Sequence, residues 1–270
     1  MADLYLHKAR KRFGQNFLQD TSVIDRIIRA IHPHTNDRLV EIGPGQGALT
    51  ESLIDSDARV DVIELDKDLF PLLKLKFGLK PNFHLHEGDA LKFDFSSLSN
   101  EPSGLRVVGN LPYNISTPLI FHLLEQASLI RDMHFMLQKE VVERICAQPG
   151  GGDWGRLSIM VQYHCRVEQL FIVGPESFHP PPKVDSAIVR LTPHSTLPHP
   201  ARDYACLERI VREAFNQRRK TIRNTLKNLL SEDAIQAAGV DSTKRPEQLS
   251  LADFVRLADQ LADMTQDSTS

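Results

Sequence analysis

The sequence has 270 residues, of which 41% are hydrophobic and 25% charged, with a formal net charge of −3. That length suits one large domain and a small one. No apolar run approaches the roughly 20 residues that span a bilayer, and no signal-peptide pattern opens the chain, so we expect no membrane segment. The three scattered cysteines, Cys146, Cys165 and Cys206, fit no disulfide or metal pattern and indicate a reducing cytoplasm.

Charge is distributed unevenly along the chain. Residues 1–12 carry four basic and one acidic side chain, and residues 202–230 carry eight basic and three acidic. Residues 231–270 reverse the balance, with three basic and eight acidic side chains. Two basic segments on a mildly acidic protein indicate a polyanion-binding surface, although a solvated helix face and a charged terminus would give the same pattern.

Short apolar segments alternate with helical patterns through the first two-thirds of the chain. They predict strands over residues 38–42, 60–64, 82–86, 105–108, 133–137, 158–165 and 186–191. One helix is predicted to end at Leu53, and another spans residues 67–77. This alternation favours an open α/β sheet of mostly parallel strands, on which ligands bind beyond the carboxyl ends of the strands.

A proline-rich segment, residues 192–200, precedes a C-terminal part with helical periodicity. The apolar residues that recur there at helical spacing are Leu207, Ile210, Val211, Phe215, Ile222, Leu226 and Leu229. We therefore predict two domains, an α/β domain over residues 1–195 and a small all-helical domain over residues 196–270.

Three glycines lie at a predicted strand-to-helix turn, in the run Glu41-Ile42-Gly43-Pro44-Gly45-Gln46-Gly47. Glycine allows a ligand to approach the backbone and permits positive φ angles. The run resembles a dinucleotide fingerprint, but its third glycine comes one residue early. Glu64 ends the next strand, 21 residues after Gly43, where an acidic side chain hydrogen-bonds ribose hydroxyls. NAD and S-adenosyl-L-methionine both fit these features.

Two further strand ends carry groups suited to an adenine base. Asp89 follows the third strand, where its carboxylate can accept a hydrogen bond from an adenine amine. The run Asn110-Leu111-Pro112-Tyr113 follows the fourth strand and joins an amide, a stiff turn and an aromatic ring. Each feature alone has an ordinary structural explanation. Glycines, two acids and this run at successive strand ends together predict one cofactor site.

With these motifs the chain resembles the ribosomal RNA adenine dimethyltransferase family over nearly its whole length, and most strongly the bacterial small-subunit branch. Four further runs carry the resemblance: Arg12-Phe13-Gly14-Gln15-Asn16-Phe17-Leu18, Gly155-Arg156-Leu157-Ser158, the proline-rich run at 178–186, and Phe215-Asn216-Gln217-Arg218-Arg219-Lys220-Thr221. Trp154 stands where the family commonly has tyrosine, which keeps an aromatic side chain at that position.

The resemblance implies a Rossmann-like class I S-adenosyl-L-methionine-dependent methyltransferase fold. That fold has a seven-stranded, mostly parallel sheet, here followed by a small all-helical C-terminal domain. The implied cofactor contacts are Asn16, Leu18, Gly43, Gly45, Glu64, Asp89 and Asn110. Among them, Glu64 would bind the ribose and Asp89 the adenine, and no metal ion is implied.

The implied catalytic residues are Asn110, Leu111, Pro112, Tyr113 and Phe178. The side-chain oxygen of Asn110 and the carbonyl of Leu111 can accept the two N–H bonds of an adenine amine, which directs its lone pair toward the methyl group. Pro112 stiffens the turn, and Tyr113 would stack on the base. Phe178 could cover the other face of the base, although a core aromatic beside a proline-rich turn is the alternative.

RNA contacts are predicted on the two basic segments. The candidates are Arg10, Lys11, Arg12, Arg218, Arg219, Lys220, Arg223 and Lys227. Within one C-terminal helix, Asn216, Lys220, Arg223 and Lys227 would share a stripe.

The resemblance further implies a target RNA. That target is a pair of adjacent adenosines in the 3′-terminal hairpin loop of 16S rRNA, dimethylated within the assembling 30S subunit. The expected enzyme is a cytoplasmic monomer with a role in ribosome biogenesis and in kasugamycin sensitivity.

Three alternatives remain open at this point. The first is a large-subunit methyltransferase of the erythromycin-resistance type, against which the C-terminal helices and Gly155-Arg156-Leu157-Ser158 weigh. The second is a non-catalytic ribosome assembly factor with the same fold, against which the intact Asn110 and Tyr113 weigh. The third, more distant, is an NAD-dependent dehydrogenase.

Overall fold

The computed structural model describes residues 16–217 and 219–267. Its strands are β1 (Phe17–Leu18), β2 (Arg38–Ile42), β3 (Arg59–Glu64), β4 (Phe83–Glu87), β5 (Leu105–Asn110), β6 (Ile130–Gln138), β7 (Cys165–Val173), β8 (Phe178–His179) and β9 (Ser186–Pro193). Its helices are α1 (Thr21–Ile31), α2 (Ala48–Ile54), α3 (Phe70–Phe77), α4 (Ser116–Glu125), α5 (Lys139–Cys146), α6 (Arg156–His164), α7 (Tyr204–Phe215), α8 (Ile222–Thr225), α9 (Glu232–Ala237) and α10 (Leu251–Asp267).

The chain divides into two compact units. The first contains residues up to 142 together with residues 166–193, and the second contains residues 143–165 together with those from 194 onward. The division predicted from the sequence places residues 143–165 in the α/β domain, whereas the structure groups them with the C-terminal helices. The predicted division into two domains at residue 195 stays a prediction.

Within the described residues, the first unit contains a seven-stranded sheet of order β4-β3-β2-β5-β6-β9-β7. The strands from β4 to β6 pair in parallel, and β9 pairs antiparallel with β6. The predicted α/β fold with a mostly parallel sheet is thereby confirmed. Because parallel strands end at the same edge, β2, β3, β4 and β5 deliver their carboxyl ends side by side, with Ile42 opposite Ile63 and Glu64 opposite Glu87.

The interior of this sheet is mostly apolar. Leu39, Val40, Val60, Val62 and Val107 are all excluded from solvent. Such largely apolar strands are typical of parallel sheets that are covered on both faces. Burial of each of these side chains stabilises the fold by about 1.5–3 kcal/mol, which holds the strand ends in fixed positions.

A second, two-stranded sheet ties the start of the described chain to a distant segment. β1 pairs antiparallel with β8, with Leu18 opposite Phe178 and Phe17 opposite His179. The backbone N–H of Gln19 donates to the carbonyl of Ser177 at 2.9 Å, which extends the pairing. Leu18 and Phe178 are both buried in the hydrophobic core of the first unit.

The strand predicted over residues 158–165 is wrong, because residues Arg156–His164 form helix α6 and the strand begins only at Cys165. The apolar run is buried on every side, so its periodicity cannot distinguish a helix from a strand. The local determinant is Ser158, whose Oγ accepts from the backbone N–H of Gly155 at 3.1 Å in a helix-capping geometry. The other six predicted strands are confirmed to within three residues at either end.

The second unit is built from helices around a buried tryptophan. Trp154 is 2% exposed, and its indole N–H donates to the carbonyl of Leu249 at 2.9 Å. Helices α7 and α10 pack together, with the rings of Phe215 and Phe254 5.7 Å apart. This C-terminal region is helical as predicted. Throughout the described ranges, no helix combines the length and apolar character that crossing a bilayer requires.

The single C-terminal helix predicted to carry Asn216, Lys220, Arg223 and Lys227 is interrupted. Helix α7 ends at Phe215, and the short α8 begins at Ile222 after Thr221 adopts an extended conformation. The first backbone N–H groups of α8 donate to another segment, Ile222 to the carbonyl of Lys244 at 2.7 Å and Arg223 to that of Ser242 at 3.2 Å. These tertiary hydrogen bonds satisfy the new helix start. The predicted stripe from Asn216 to Lys227 therefore does not lie on one helix.

Candidate active site

Four strand ends and the segment of Asn16 and β1 surround one open cleft in the first unit. Its lining residues are 16–18, 41–46, 48 and 49, 63–66, 88–90 and 110–115, and its empty space is about 1160 Å³. The cleft lies where parallel α/β sheets bind ligands, beyond the carboxyl ends of the strands. All the residues predicted to bind the cofactor line this cleft, so the structure brings them together.

The glycine-rich turn forms one wall of the cleft. Gly43, Gly45 and Gly47 have φ angles of +64°, +58° and +86°, which side chains rarely allow. The N–H of Gly43 donates to the carbonyl of Ile63 at 2.9 Å, which attaches the turn to β3. A Cβ placed on Gly43 would meet no protein atom within 4 Å, so this backbone faces open space.

The carboxylates of Glu64 and Asp89 are held by backbone groups at the ends of β3 and β4. Oε1 of Glu64 accepts from the N–H groups of Leu65 at 2.8 Å and Asp66 at 2.7 Å. Burial raises the pKa of Glu64 above its ordinary value, against the opposing effect of these hydrogen bonds. Oδ1 of Asp89 accepts from the N–H of Leu91 at 3.0 Å. These backbone bonds fix both carboxylates in position.

The amide of Asn110 is oriented by the backbone of Asn16, which immediately precedes β1. Its Nδ2 donates to the backbone carbonyl of Asn16 at 3.0 Å. Because a carbonyl can only accept, the amide nitrogen faces Asn16 and Oδ1 remains as an acceptor on the other side. The next residue, Leu111, is buried, and its N–H donates to the carbonyl of Met136 at 3.2 Å. The segment that precedes β1 thus sets the orientation of the predicted catalytic amide.

The rest of the aromatic turn is also held firmly. The N–H of Ile115 donates to the carbonyl of Pro112 at 3.1 Å, which closes the turn. The phenol of Tyr113 hydrogen-bonds Oγ of Ser186 at 2.8 Å, and Tyr113 lines the cleft. Phe178 is 5% exposed, packs in the core and is not among the described residues that line the cleft. Its role as a stacking partner stays a prediction.

Glu41, Leu65 and Asp66 are among the lining residues of the cleft that sequence reasoning missed. Glu41 is 2% exposed, and its Oε2 accepts from the hydroxyl of Thr50 at 2.6 Å. Burial raises the pKa of Glu41 to about 7, and the neighbouring carboxylate of Glu64 adds to the rise. An acidic residue inside an apolar strand, two positions before a glycine turn, is the signal that could have identified it.

The charge of the cleft is strongly one-sided. Among its described lining residues, Glu41, Glu64, Asp66 and Asp89 are acidic and none is basic. A cavity of this kind attracts a cationic ligand and disfavours a polyanionic one such as a pyrophosphate. The side chain of Leu65, which is 51% exposed, adds an apolar surface at the same wall.

The predicted RNA-binding residues that the structure describes lie in the second unit. Arg219, Lys220, Arg223 and Lys227 are all exposed, and Arg223 also hydrogen-bonds Glu232 at 3.4 Å. The remaining predicted RNA-binding residues, Arg10, Lys11, Arg12 and Arg218, lie outside the described residues. The RNA-binding role of the whole set stays a prediction.

The histidines of β4 lie within the sheet, where His86 contacts the neighbouring strand β3. Nε2 of His86 lies 2.8 Å from Oδ1 of Asp61, a fully buried carboxylate that Arg38 and Arg59 also contact. Burial lowers the pKa of the neighbouring His84, and the charge of Arg59 acts in the same direction. In the part of the chain that the structure describes, no group of three His, Cys, Asp or Glu side chains is placed to hold a metal ion.

The fold and the cleft define a methyltransferase of the open α/β class, and solved structures agree. The chain matches a dimethyladenosine transferase from Plasmodium falciparum at 28% identity and a TM-score of 0.77, covering 93% of this chain and 98% of that one. It matches the 23S rRNA methyltransferase ErmE at 28% identity and a TM-score of 0.69, covering 92% and 100%.

Sequence comparison identifies the family. The model for ribosomal RNA adenine dimethylase matches residues 6–263, and the chain belongs to this family. Its relatives include proteins named ribosomal RNA small subunit methyltransferase A. One from Pseudomonas savastanoi is 74% identical over 263 residues, 97% of this chain and 98% of the relative. One from Pseudomonas aeruginosa is 74% identical over 264 residues, 98% of each.

Proposed function

We propose that this protein dimethylates the exocyclic amines of two adjacent adenosines in the 3′-terminal hairpin loop of 16S rRNA, with S-adenosyl-L-methionine as methyl donor. The proposed substrate is the RNA within the assembling 30S subunit. The protein would act as a monomer in the cytoplasm, as a step of ribosome biogenesis.

One observation carries this proposal, namely the orientation of Asn110 at the edge of an acidic cleft. Its Nδ2 is occupied by the carbonyl of Asn16, so Oδ1 is available as an acceptor. Beside it stand the stiff turn at Pro112 and the ring of Tyr113. An acceptor next to an aromatic platform suits a flat base that carries an amine, and adenine is such a base.

The cleft fits S-adenosyl-L-methionine, which supplies a methyl group on positively charged sulfur. The side chains of Glu41, Glu64, Asp66 and Asp89 suit a ligand with sulfonium and ammonium charges, and no basic side chain is among the described lining residues. At Gly43 the backbone faces open space, so a ligand can approach it closely. Glu64 would hold the ribose and Asp89 the adenine. NAD, with its pyrophosphate, fits this charge pattern poorly.

The chain's contribution to the chemistry is to orient a weak nucleophile. An adenine amine shares its lone pair with the ring, so it attacks poorly until its hydrogens are held out of that plane. Oδ1 of Asn110 and the carbonyl of Leu111 can accept its two N–H bonds. Both acceptors also stabilise positive charge that develops on the nitrogen during transfer, which lowers the barrier.

Tyr113 would hold the plane of the base while the amine reacts. Stacking of a base on an aromatic side chain contributes about 1–3 kcal/mol. The target adenosine has to leave its loop and enter the cleft, which is easiest for an unpaired base. The methylated nitrogen is cationic and loses one proton to solvent, so the amine then keeps one N–H bond. One acceptor contact is lost before the second transfer, and the cleft must admit a methyl group.

The choice of the small subunit is supported by the relatives. Those that are 74% identical over nearly the whole chain carry the name of a small-subunit methyltransferase. The exposed basic residues Arg219, Lys220, Arg223 and Lys227 suit contacts with RNA phosphates, which position an enzyme without reading sequence.

The test uses the full-length protein with purified 30S and 50S subunits from cells that lack adenine dimethylation. Labelled S-adenosyl-L-methionine is added, and the methylated nucleotides are mapped by mass spectrometry. Two adjacent dimethyladenosines near the 3′ end of 16S rRNA are expected. Label confined to 23S rRNA, or 30S binding without methylation, would refute the proposal.

The second candidate is a large-subunit rRNA methyltransferase, and one observation favours it. The match to ErmE covers 92% of this chain at a TM-score of 0.69. That match is at 28% identity, whereas the small-subunit relatives are at 74%. The 50S arm of the same experiment decides between the two candidates. Binding to 30S subunits without methyl transfer would instead indicate a purely structural assembly role.

A further inference from the structure

The phenol of Tyr113 is anchored by a residue from a distant strand. Its oxygen lies 2.8 Å from Oγ of Ser186, 73 positions later in the chain. Ser186 opens β9 opposite Gln138 of β6, and its side chain is excluded from solvent. The carbonyl of the preceding residue, Asp185, accepts from the N–H of Lys139 at 2.9 Å. Ser186 is therefore part of the rigid sheet and cannot follow movements of the tyrosine.

The other end of the tyrosine is also fixed. Its backbone carbonyl accepts from Oγ of Ser116 at 3.2 Å, and Pro112 precedes it in a closed turn. Burial raises the pKa of Tyr113, so the phenol keeps its proton and the hydrogen bond at neutral pH. With Cα and the phenol oxygen both held, the long axis of the ring is fixed in position, and the ring can turn only about that axis. The hydrogen bond between the phenol and Oγ of Ser186 can be removed by deleting one oxygen atom from either side chain.

We propose that Ser186 is a positioning residue for methyl transfer, which fixes the position of the Tyr113 ring against the target adenine. This inference rests on the function proposed above, because it assigns Tyr113 to the base. Ser186 does not itself line the cleft among the described residues. Its loss should therefore act on turnover through the ring and leave the affinity for S-adenosyl-L-methionine unchanged.

The experiment removes the hydrogen bond from each side and from both. Ser186→Ala deletes the serine hydroxyl, Tyr113→Phe deletes the phenol but keeps the ring, and a double variant combines them. If the two hydroxyls act only through each other, each single variant lowers kcat by about two- to tenfold, the range for one neutral hydrogen bond. The double variant should then be no slower than either single variant.

Two further variants separate positioning from general damage to the sheet. Ser186→Thr keeps the hydroxyl and should recover much of kcat. Ser177→Ala removes another buried serine hydroxyl, which contacts Asp20 at 3.3 Å and not Tyr113, and should leave kcat unchanged. The KM for S-adenosyl-L-methionine is measured in every case and should stay within twofold of the wild type, about the scatter of such values.

The outcomes distinguish this inference from the proposed function. Effects of Ser186→Ala and Tyr113→Phe that multiply in the double variant would overturn the positioning role, as would unchanged kcat in Ser186→Ala. If the wild-type protein itself methylates neither 16S nor 23S rRNA, the proposed function fails instead. Unfolding curves of each variant show whether it is folded. If Ser186→Ala is unfolded, Ser186→Cys replaces it.

Discussion

Asn110 donates a hydrogen bond from its side-chain amide to the backbone carbonyl of Asn16, 3.0 Å away and 94 positions earlier in the chain. The acceptor is a main-chain atom, so it survives substitution of the Asn16 side chain. The amide of Asn110 is consequently presented in one orientation, with its oxygen free for a substrate.

Replacement of Asn110 by alanine should lower kcat by about 100-fold, the scale seen when one preorganised hydrogen-bonding group is removed from an active site. Binding to 30S subunits should be retained, because the substituted side chain lies in the cleft and not among the basic residues. Single-turnover methylation and a filter-binding assay measure the two quantities. Full activity in this variant would contradict the assigned role.

Asn110→Asp offers a matched comparison, since it keeps an acceptor oxygen but replaces the nitrogen that faces Asn16. A carboxylate oxygen against that carbonyl is repelled, so we expect a loss of activity close to that of alanine. Asn228→Ala, at an exposed asparagine of the second unit, is the control and should have wild-type activity.

Substitution within the glycine turn should have different costs at two positions. A Cβ at Gly47 would lie 2.5 Å from Cε2 of Phe77, whereas one at Gly43 would meet nothing within 4 Å. Both positions have positive φ, which costs a residue with a side chain about 1–2 kcal/mol. Gly47→Ala should therefore lower the free energy of unfolding by more than Gly43→Ala does.

Binding of S-adenosyl-L-methionine should show the opposite order. Gly43→Ala adds a methyl group where the backbone faces open space, so we expect weaker cofactor binding in a protein that loses only the stability cost of the positive φ, about 1–2 kcal/mol. Chemical denaturation and isothermal titration calorimetry measure the two effects. Equal stability losses in both variants would count against the packing argument.

Stability should fall as pH rises through the titration of Glu41. The pKa of Glu41 is about 7 in the folded protein and 4.5 in its ordinary state. Between these values the folded protein holds a proton that the unfolded chain releases. The contribution of Glu41 to the free energy of unfolding is therefore full below pH 4.5 and is lost as pH rises through about 7. The difference between the two pKa values corresponds to about 3 kcal/mol of stability.

Glu41→Gln removes this titration while keeping an acceptor for the hydroxyl of Thr50. The free energy of unfolding of the variant, minus that of the wild type, should be larger at pH 8 than at pH 5. Urea unfolding at both pH values measures this difference. Glu101→Gln, at an exposed glutamate, is the control and should leave the pH profile of the wild type in place. Parallel profiles for Glu41→Gln and the wild type would contradict the burial argument.

Charge reversal at Lys220 and Lys227 should weaken binding to 30S subunits. If each lysine contacts one phosphate, each substitution by glutamate should also reduce the slope of log affinity against log salt by about 1. The kcat at saturating subunit should change little, because both side chains lie in the second unit.

Lys80→Glu is the matched control for this charge change. Lys80 is an exposed lysine of the first unit that pairs with Asp55 at 3.5 Å. It should leave the affinity and its salt dependence near the wild-type values. Equal losses in all three variants would indicate a general effect of net charge instead of a local RNA contact.

Much of the sheet was predictable because its strands are short, apolar and separated by turn residues. The cleft residues Gly43, Glu64, Asp89 and Asn110 were found because each lies at or just beyond the carboxyl end of a strand, and parallel strands end at one edge. Local pattern sufficed there because the chemistry sits at positions that the pattern already marks.

Other features depend on contacts that no local pattern records. Residues 156–164 form a helix because Ser158 caps it and because the surrounding unit buries every face. The break after Phe215 arises where the chain from 242 to 244 supplies acceptors to α8. Ser186 was missed for the same reason, since its partner Tyr113 is brought to it only by the fold.

The pairing of β1 with β8 has a consequence for the order of events during synthesis. Phe17 and Leu18 leave the ribosome well before their strand partners, His179 and Phe178. Until that later segment has emerged, the wall of the cleft beside Asn110 lacks its pairing strand. The nascent chain can assemble the parallel strands β2 to β6 earlier, so the methyl-transfer pocket is completed only after most of the sheet that supports it has been translated.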